Sequence, residues 1–320
     1  MNVDEKTRKV VEMYSKYPFP SQGNHGNYFE NTVLGPIQEL SKERPIKRLL
    51  DAGCGTGNIT ADIASRLPDV EITAVDLTEQ SLKLAKERAE EHGFKNVTFR
   101  RTNLMEYDPE LGVFDFVYSQ GVIHHLSDPL TGMRNLNKYL KKDHYAFVWL
   151  YAILGRRELL DMREALKILG VDKLSWEQRM QLTKETRPLF WGARSTFLRR
   201  VIKVLDYLDK NGFKGFGYFL KQYLHKSARS SFDDIILADQ VLHPQDKFYR
   251  VREAVEMFNE SGFEFVKILE GMSNTMMQSF GADSSLTARK DLSTVDTYTL
   301  IELHEKPLGF GYLIRKTRDV

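Results

Sequence analysis

Two stretches hold side chains whose types and spacing could do chemistry. Ser119 to Pro129 reads SQGVIHHLSDP, which sets His124 beside His125 with Asp128 three residues on. Imidazoles titrate near neutrality and serve as bases or as metal ligands. Leu49 to Asn58 reads LLDAGCGTGN, with Gly53, Gly55 and Gly57 in alternation. Glycines there remove side chains where a ligand must touch backbone. A helix that follows such a loop turns its N-terminal amides to that ligand. Asp76 comes 21 residues after Gly55. That offset suits a carboxylate accepting both hydroxyls of a ribose. The glycines do not fit G-x-G-x-x-G in either register, because Asn58 and Thr60 fall where the third glycine belongs. No Gly-Lys-Ser/Thr follows them, so a P-loop is excluded.

These residues need strands and helices to place them. From Arg48 to Tyr151, short apolar runs alternate with helical patterns. KRLLDAG, VEITAVDL, NVTFRRTN, FDFVYSQG and HYAFVWLY read as five strands. NITADIASRLP, TEQSLKLAKERAEEHG and DPLTGMRNLNKYLKK read as helices between them, the second with Thr78 as N-cap and Gly93 past its end. Such alternation predicts parallel βαβ units and a doubly wound α/β sheet. Residues 152–245 break the rhythm with helical patterns rich in Leu, Phe and Tyr. A helix at YRVREAVEMFNESG, a sixth strand at FEFVKILE, a helix at TVDTYTLIELHE and a seventh strand at FGYLIRK then complete the sheet. Residues 4–16 and 27–40 read as two amphipathic helices separated by YPFPSQGNHG, where Pro18 and Pro20 block continuation. Four regions are expected: an N-terminal helical lid (1–47), a core (48–151), a helical insertion (152–245) and the last helices and strands of the core (246–320).

Composition narrows the class. The chain has 320 residues, 42% hydrophobic and 28% charged, with a net charge of +2. That suits a soluble globular protein without a general preference for polyanions. Charge is uneven: residues 1–150 carry −2, residues 151–250 carry +7 and residues 251–320 carry −3. The one cysteine, Cys54, excludes an intrachain disulfide and a zinc site on paired cysteines. MNVDEKTRKV lacks the apolar core of a signal peptide, and no apolar run approaches the ~20 residues of a membrane span. A cytoplasmic protein is expected.

LLDAGCGTGNIT followed by ITAVDLT resembles the class I S-adenosylmethionine-dependent methyltransferases. The resemblance covers residues 48–151 and extends to the last two strands. It implies a Rossmann-like seven-stranded sheet and S-adenosylmethionine as cofactor. It places Gly53, Cys54, Gly55, Gly57 and Asn58 against the methionine part, and gives Asp51 to the loop or to the cofactor amino group. Asp76 becomes the ribose acid. Leu77 flanks the adenine, with Asn103 where the family usually has an acid, and Leu104, Ser119 and Gln120 complete the set. The G-V-I-H-H-L-x-D-P pattern resembles the small-molecule branch that includes ubiquinone- and menaquinone-pathway enzymes. It puts His125 near the acceptor, as a general base or as a hydrogen-bonded structural histidine. In similar enzymes an N-terminal helix closes over the cofactor, which would bring Tyr14, Tyr17 and Phe19 to the ligands.

Adjacent residues at a strand end point to opposite sides, so no metal site is expected at His124 and His125. Neither an amino-group signature D/N-P-P-Y after strand four nor a second, catalytic cysteine is present. A small or medium acceptor beneath the helical insertion is the leading expectation. The insertion's positive charge suits an anionic acceptor, an acidic protein or a subunit interface in a homo-oligomer. RPLFWGARSTFLRR and GFKGFGYFLKQYLHKSARSSF mix bases with aromatics, but helix cores do so too, and nucleic acid is the weaker reading. Asp246 and Tyr249, where the insertion rejoins the sheet, are placed toward the acceptor. The alternatives are a protein or RNA methyltransferase docking through the basic insertion, and a non-catalytic cofactor-binding subunit.

Overall fold

Seven strands form one sheet in the order β3-β2-β1-β4-β5-β7-β6. The computed structural model describes residues 3–20, 28–190, 234–270 and 293–320. The strands are β1 (Arg48–Ala52), β2 (Glu71–Asp76), β3 (Val97–Arg101), β4 (Phe114–Gln120), β5 (Leu140–Tyr151), β6 (Phe263–Glu270) and β7 (Gly309–Lys316). β1 to β5 are parallel, as the alternating pattern predicts. β7 instead runs antiparallel to both β5 and β6, which makes the sheet mixed.

Alternate residues divide between the two faces of the sheet. Leu50, Ala52, Val117 and Val148 join one core with α5 (Pro129–Tyr139), α9 (Val251–Glu260) and α10 (Thr294–Glu305). Leu49, Phe116, Tyr118 and Phe147 join the other. That second core takes Ile37 from α2 (Gly35–Glu43) and Ile63 from α3 (Asn58–Arg66). Burying both faces of parallel strands demands apolar residues at consecutive positions. The runs RLLDA and FDFVYS supply them.

Helix ends follow their residues. Asp4 starts α1 (Glu5–Lys16), accepting from the N–H groups of Lys6 and Thr7 at 2.9 and 3.0 Å. Gly93, at φ +71°, lies just past α4 (Glu79–Glu91). Asp128 starts α5, accepting from Leu130 N–H at 3.1 Å and Thr131 Oγ1 at 2.6 Å. The expected helix DPLTGMRNLNKYLKK is shorter than its pattern, since Leu140 already opens β5. Lys141 is drawn into that strand by an ion pair with Asp115 at 2.6 Å. The second N-terminal helix opens with a π turn (Glu30–Leu34) and runs on to Glu43.

The chain divides into two units, residues 1–156 with 244–320, and residues 157–243. Among its described residues the second unit holds α6 (Arg157–Ile168), a 3-10 turn (Val171–Lys173), α7 (Trp176–Phe190) and α8 (Asp234–Gln240). α6 buries Leu159, Met162 and Leu166 at helical spacing. It packs on α7, and Arg163 Nε donates to the Gln240 carbonyl at 3.0 Å. Residues 191–233, which hold most of the basic aromatic stretches, lie outside the described residues. Among the described residues no helix is long and apolar enough to cross a membrane.

Candidate cofactor and acceptor site

Parallel strands deliver their carboxyl ends to one edge of the sheet, where ligands of doubly wound folds bind. β1 brings the glycine loop to that edge, β2 brings Asp76, and β4 brings the histidine turn. The loop is held by its own backbone: Gly53 and Cys54 N–H both donate to the Val75 carbonyl, at 2.8 and 2.9 Å. Gly57 N–H closes back on the Cys54 carbonyl at 3.0 Å. Gly53, Gly55 and Gly57 sit at φ +90°, +53° and +80°, a region that other residues enter only with strain.

The space beside each glycine is filled by protein. A Cβ on Gly53 would meet Val122, one on Gly55 the Phe19 carbonyl oxygen at 2.4 Å, and one on Gly57 the Ala85 Cβ at 2.8 Å. Close packing therefore demands glycine here irrespective of any ligand. The N-terminal turn is part of that packing. Phe19 and Pro20 carbonyls accept from Thr56 N–H (3.2 Å) and Thr56 Oγ1 (2.9 Å). α1 itself reaches the far side of the edge, where Ser127 Oγ donates to Asp4 at 2.9 Å. Tyr17 ends α1, its N–H on the Met13 carbonyl at 2.8 Å and its ring under Lys16. Residues 21–27 lie outside the described residues.

Two carboxyls face this loop. Asp76 Oδ2 accepts from Gly55 N–H at 3.0 Å, and Oδ1 accepts from Thr78 N–H and Oγ1 at 2.9 and 2.8 Å. Thr78 thus occupies the N-cap position of α4 but spends its hydroxyl on Asp76 and not on the helix. Asp51 is 2% exposed and accepts from Thr60 Oγ1 at 2.6 Å. Burial, opposed by the Thr60 hydrogen bond and joined by repulsion from Asp76, pushes the Asp51 carboxyl up to about 7. Burial raises Asp76 as well, against the hydrogen bonds from Thr78 and Gly55. It also holds the Cys54 thiol well above its ordinary range, which makes it inert at neutral pH. Asp51, buried, and Asp76, half-buried, repel each other beside the glycine loop and form a place that a cation would relieve.

The remaining expected residues are spread along the same edge. Asn58 opens α3 and is half-buried, as is Leu77; Leu104 is buried. Asn103 is buried, with its Oδ1 accepting from Met105 N–H at 3.0 Å and its Nδ2 3.4 Å from Glu106. Ser119 is fully buried and donates to the Ala52 carbonyl at 3.0 Å, bracing β4 on β1. Gln120 accepts from the Tyr118 hydroxyl. Asp128, weighed from sequence as a third metal ligand, is the cap of α5.

The histidines depart from expectation. They lie beyond β4, in a 3-10 turn (Ile123–His125), so the alternation of strand side chains does not apply. Their ring centroids are 4.2 Å apart, and they share a flank of the sheet edge instead of opposing one another. His124 is fully buried, its ring centroid 3.9 Å from that of Tyr151 and 6.0 Å from that of Trp149. His125 keeps 7% exposure and meets Tyr14 and Tyr151 edge-on. Its Nδ1 lies 2.5 Å from Asp246. Thr60 and the Phe19 carbonyl are contributors that sequence reasoning missed. A threonine two residues into a helix and a carbonyl in a proline turn carry no signal of their own.

Residues 44–172 match the model of a methyltransferase domain. That stretch is therefore similar to a methyltransferase domain, and the sheet has the class I methyltransferase fold. The chain's cofactor is S-adenosylmethionine. A Synechococcus protein of uncharacterized function is 26% identical over 311 residues, 94% of this chain and 69% of that one. The ubiquinone biosynthesis O-methyltransferase of Bordetella parapertussis is 31% identical over 137 residues, covering 40% of this chain and 56% of the enzyme. A magnesium-protoporphyrin O-methyltransferase from Rhodobacter capsulatus is 36% identical over 105 residues, 33% of this chain and 45% of the enzyme. The chain spans about half the length of these two O-methyltransferases. Among solved structures, PKMT2 from Rickettsia typhi shares the methyltransferase fold with a TM-score of 0.57 at 16% identity, over 98% of this chain and 54% of that one.

Proposed function

We propose that the protein transfers the methyl group of S-adenosylmethionine to an oxygen of a small or medium-sized acceptor. The observation that carries this reading is Asp76, a half-buried acid clamped onto Gly55 at the end of β2, with buried Asp51 beside it. The cofactor's sulfonium and ammonium would set a cation beside these two acids. The glycine loop, Cys54 and Asn58 hold its methionine end, Asp76 holds the ribose, and Leu77, Asn103 and Leu104 flank the adenine. Ser119 braces the edge on which Gln120 presents its amide. The similarity to O-methyltransferases supports a small-molecule acceptor and an oxygen as its reacting atom, within a branch like that of the ubiquinone pathway.

When bound, the cofactor provides an electrophilic methyl carbon and a good leaving group. What remains for the chain is alignment and proton removal. His125 takes the acceptor proton, and α1 with the Phe19–Pro20 turn covers the loop and excludes water. Calorimetry with S-adenosylhomocysteine tests the cofactor; no binding would end this reading. Labelled methyl transfer into cell extract split into metabolite, protein and RNA then tests the acceptor. Incorporation confined to protein or RNA would replace the small-molecule assignment.

Cofactor binding is expected to depend on pH through Asp51. Its folded value lies above the unfolded one, so its contribution to stability is full below about 4 and is lost as pH rises through about 7. A cation beside it favours the charged form, so binding releases a proton below about 7. Affinity for S-adenosylhomocysteine should rise about tenfold from pH 6 to pH 8 by this linkage. Asp51→Asn should flatten that rise, as measured by titration calorimetry across buffers.

A further inference from the structure

The histidine motif does not say which ring nitrogen of His125 holds the proton. The structure surrounds one of them with oxygen. Nδ1 lies 2.5 Å from Asp246 Oδ1 and 3.4 Å from the Gln245 carbonyl oxygen. The Asp246 side chain is wholly buried. Its segment is fixed from two directions. Lys247 N–H donates to the His124 carbonyl at 2.9 Å, and Gln245 Nε2 donates to the His125 carbonyl at 3.1 Å. Tyr249 N–H donates to the Tyr151 carbonyl at 2.9 Å, and Ile153 N–H donates to the Tyr249 carbonyl at 3.2 Å. A stretch of five residues, Gln245 to Tyr249, is thus pinned both to the end of β5 and to the backbone of the histidine turn, with Asp246 between the pins.

We propose that Asp246 is the positioning residue of His125. Its buried carboxylate faces Nδ1, favours the hydrogen on that nitrogen and so leaves Nε2 as the basic one. This rests on the reading of His125 as the base. A neutral imidazole has one N–H, and the hydrogen bond made by one nitrogen decides the state of the other. Both oxygens stand at Nδ1, and neither accepts unless the hydrogen is there. As the acceptor hydroxyl loses its proton to Nε2, its oxygen pair forms the bond to the methyl carbon. The carbon–sulfur pair remains on sulfur. The imidazolium then carries hydrogen on both nitrogens, and the Asp246 charge stabilises it. Tyr14 and Tyr151 meet the ring edge-on, with interplanar angles of 74° and 87°, and keep it from turning. His124 packs its ring on Tyr151 at 31°.

The test uses the full chain with nitrogen-15 in its histidines, as wild type, Asp246→Asn, Asp246→Ala and His125→Asn. Long-range proton–nitrogen spectra read the tautomer directly, and the His125→Asn spectrum assigns the signal. In the wild type the neutral ring should carry hydrogen on Nδ1. In both Asp246 variants the share with hydrogen on Nε2 should rise several-fold, while S-adenosylhomocysteine binds as in the wild type. Hydrogen on Nε2 in the wild type, or an unmoved tautomer in both variants, would overturn the proposal. With the acceptor fraction in hand, Asp246→Asn should lower kcat by about 100-fold, the scale of one general base, at unchanged KM for the cofactor. Equal loss of cofactor binding would mark Asp246 as merely structural. No cofactor binding even in the wild type would instead defeat the underlying reading and leave the tautomer result to stand by itself.

Discussion

Asp76→Ala weakens S-adenosylhomocysteine binding by about 100-fold or more. Two hydrogen bonds from a ribose to a charged acceptor contribute about 1.5–3 kcal/mol each, and in the proposed site Asp76 is the acid that accepts them. The loss reaches beyond the ligand. Asp76 also holds the Gly55 N–H and both donors of Thr78, so alanine frees the loop from the first turn of α4. Titration calorimetry gives the affinity, and a thermal melt shows whether the fold survives. A folded variant that binds within about threefold of the wild type, under half of one such hydrogen bond, would remove Asp76 from the site. Asp76→Asn keeps an acceptor for Gly55 but loses the charge, and its affinity should fall between the two.

Gly57→Ala costs about 2–5 kcal/mol of stability. Part is the left-handed backbone at φ +80°, about 1–2 kcal/mol for a residue with a Cβ. The rest is collision, since the new methyl stands 2.8 Å from Ala85 Cβ and 2.9 Å from its Cα. Both atoms belong to α4, and overpacking of this kind costs about 1–3 kcal/mol. Gly93→Ala is the matched control. It shares the positive φ, at +71°, but a Cβ there meets nothing within 4 Å. The difference between the two melting temperatures isolates the packing part, on the order of 5 °C for a chain of this size. Equal shifts would mean that α3 and α4 separate easily and that the loop is not braced by them.

The strands were legible because each is a short apolar run bounded by a turn, and the Gly55–Asp76 spacing was legible because it lies within one βαβ unit. Local pattern carries no information on direction, so the antiparallel course of β7 was hidden. The boundary between α5 and β5 was misplaced over residues 140–142, where helical preference yields to the pairing of Leu140 with Phe114 and to the ion pair of Lys141 with Asp115. The histidines were read by a strand rule that ends at Gln120. Asp246 was legible only as a polar residue near the join. Its pairing with His125 spans the whole insertion, and no local signal reports a contact across such a distance.

The place of β7 has a consequence for the order of assembly. β6 pairs with β7 alone, while β7 pairs with both β5 and β6. During synthesis β6 is made first, yet it has no ladder to join until β7 arrives. Through that interval α9 and β6 form a waiting hairpin of helix and strand, with Phe258 and Phe263 still short of the Tyr312 and Ile314 side chains that share their core. Closing a loop of this length costs entropy that only the finished ladder repays. Lys316 then fastens the arrangement, its ammonium donating to the carbonyls of Asn137 and Leu140 at 2.8 and 2.9 Å. The far edge of the sheet is thus a late joint.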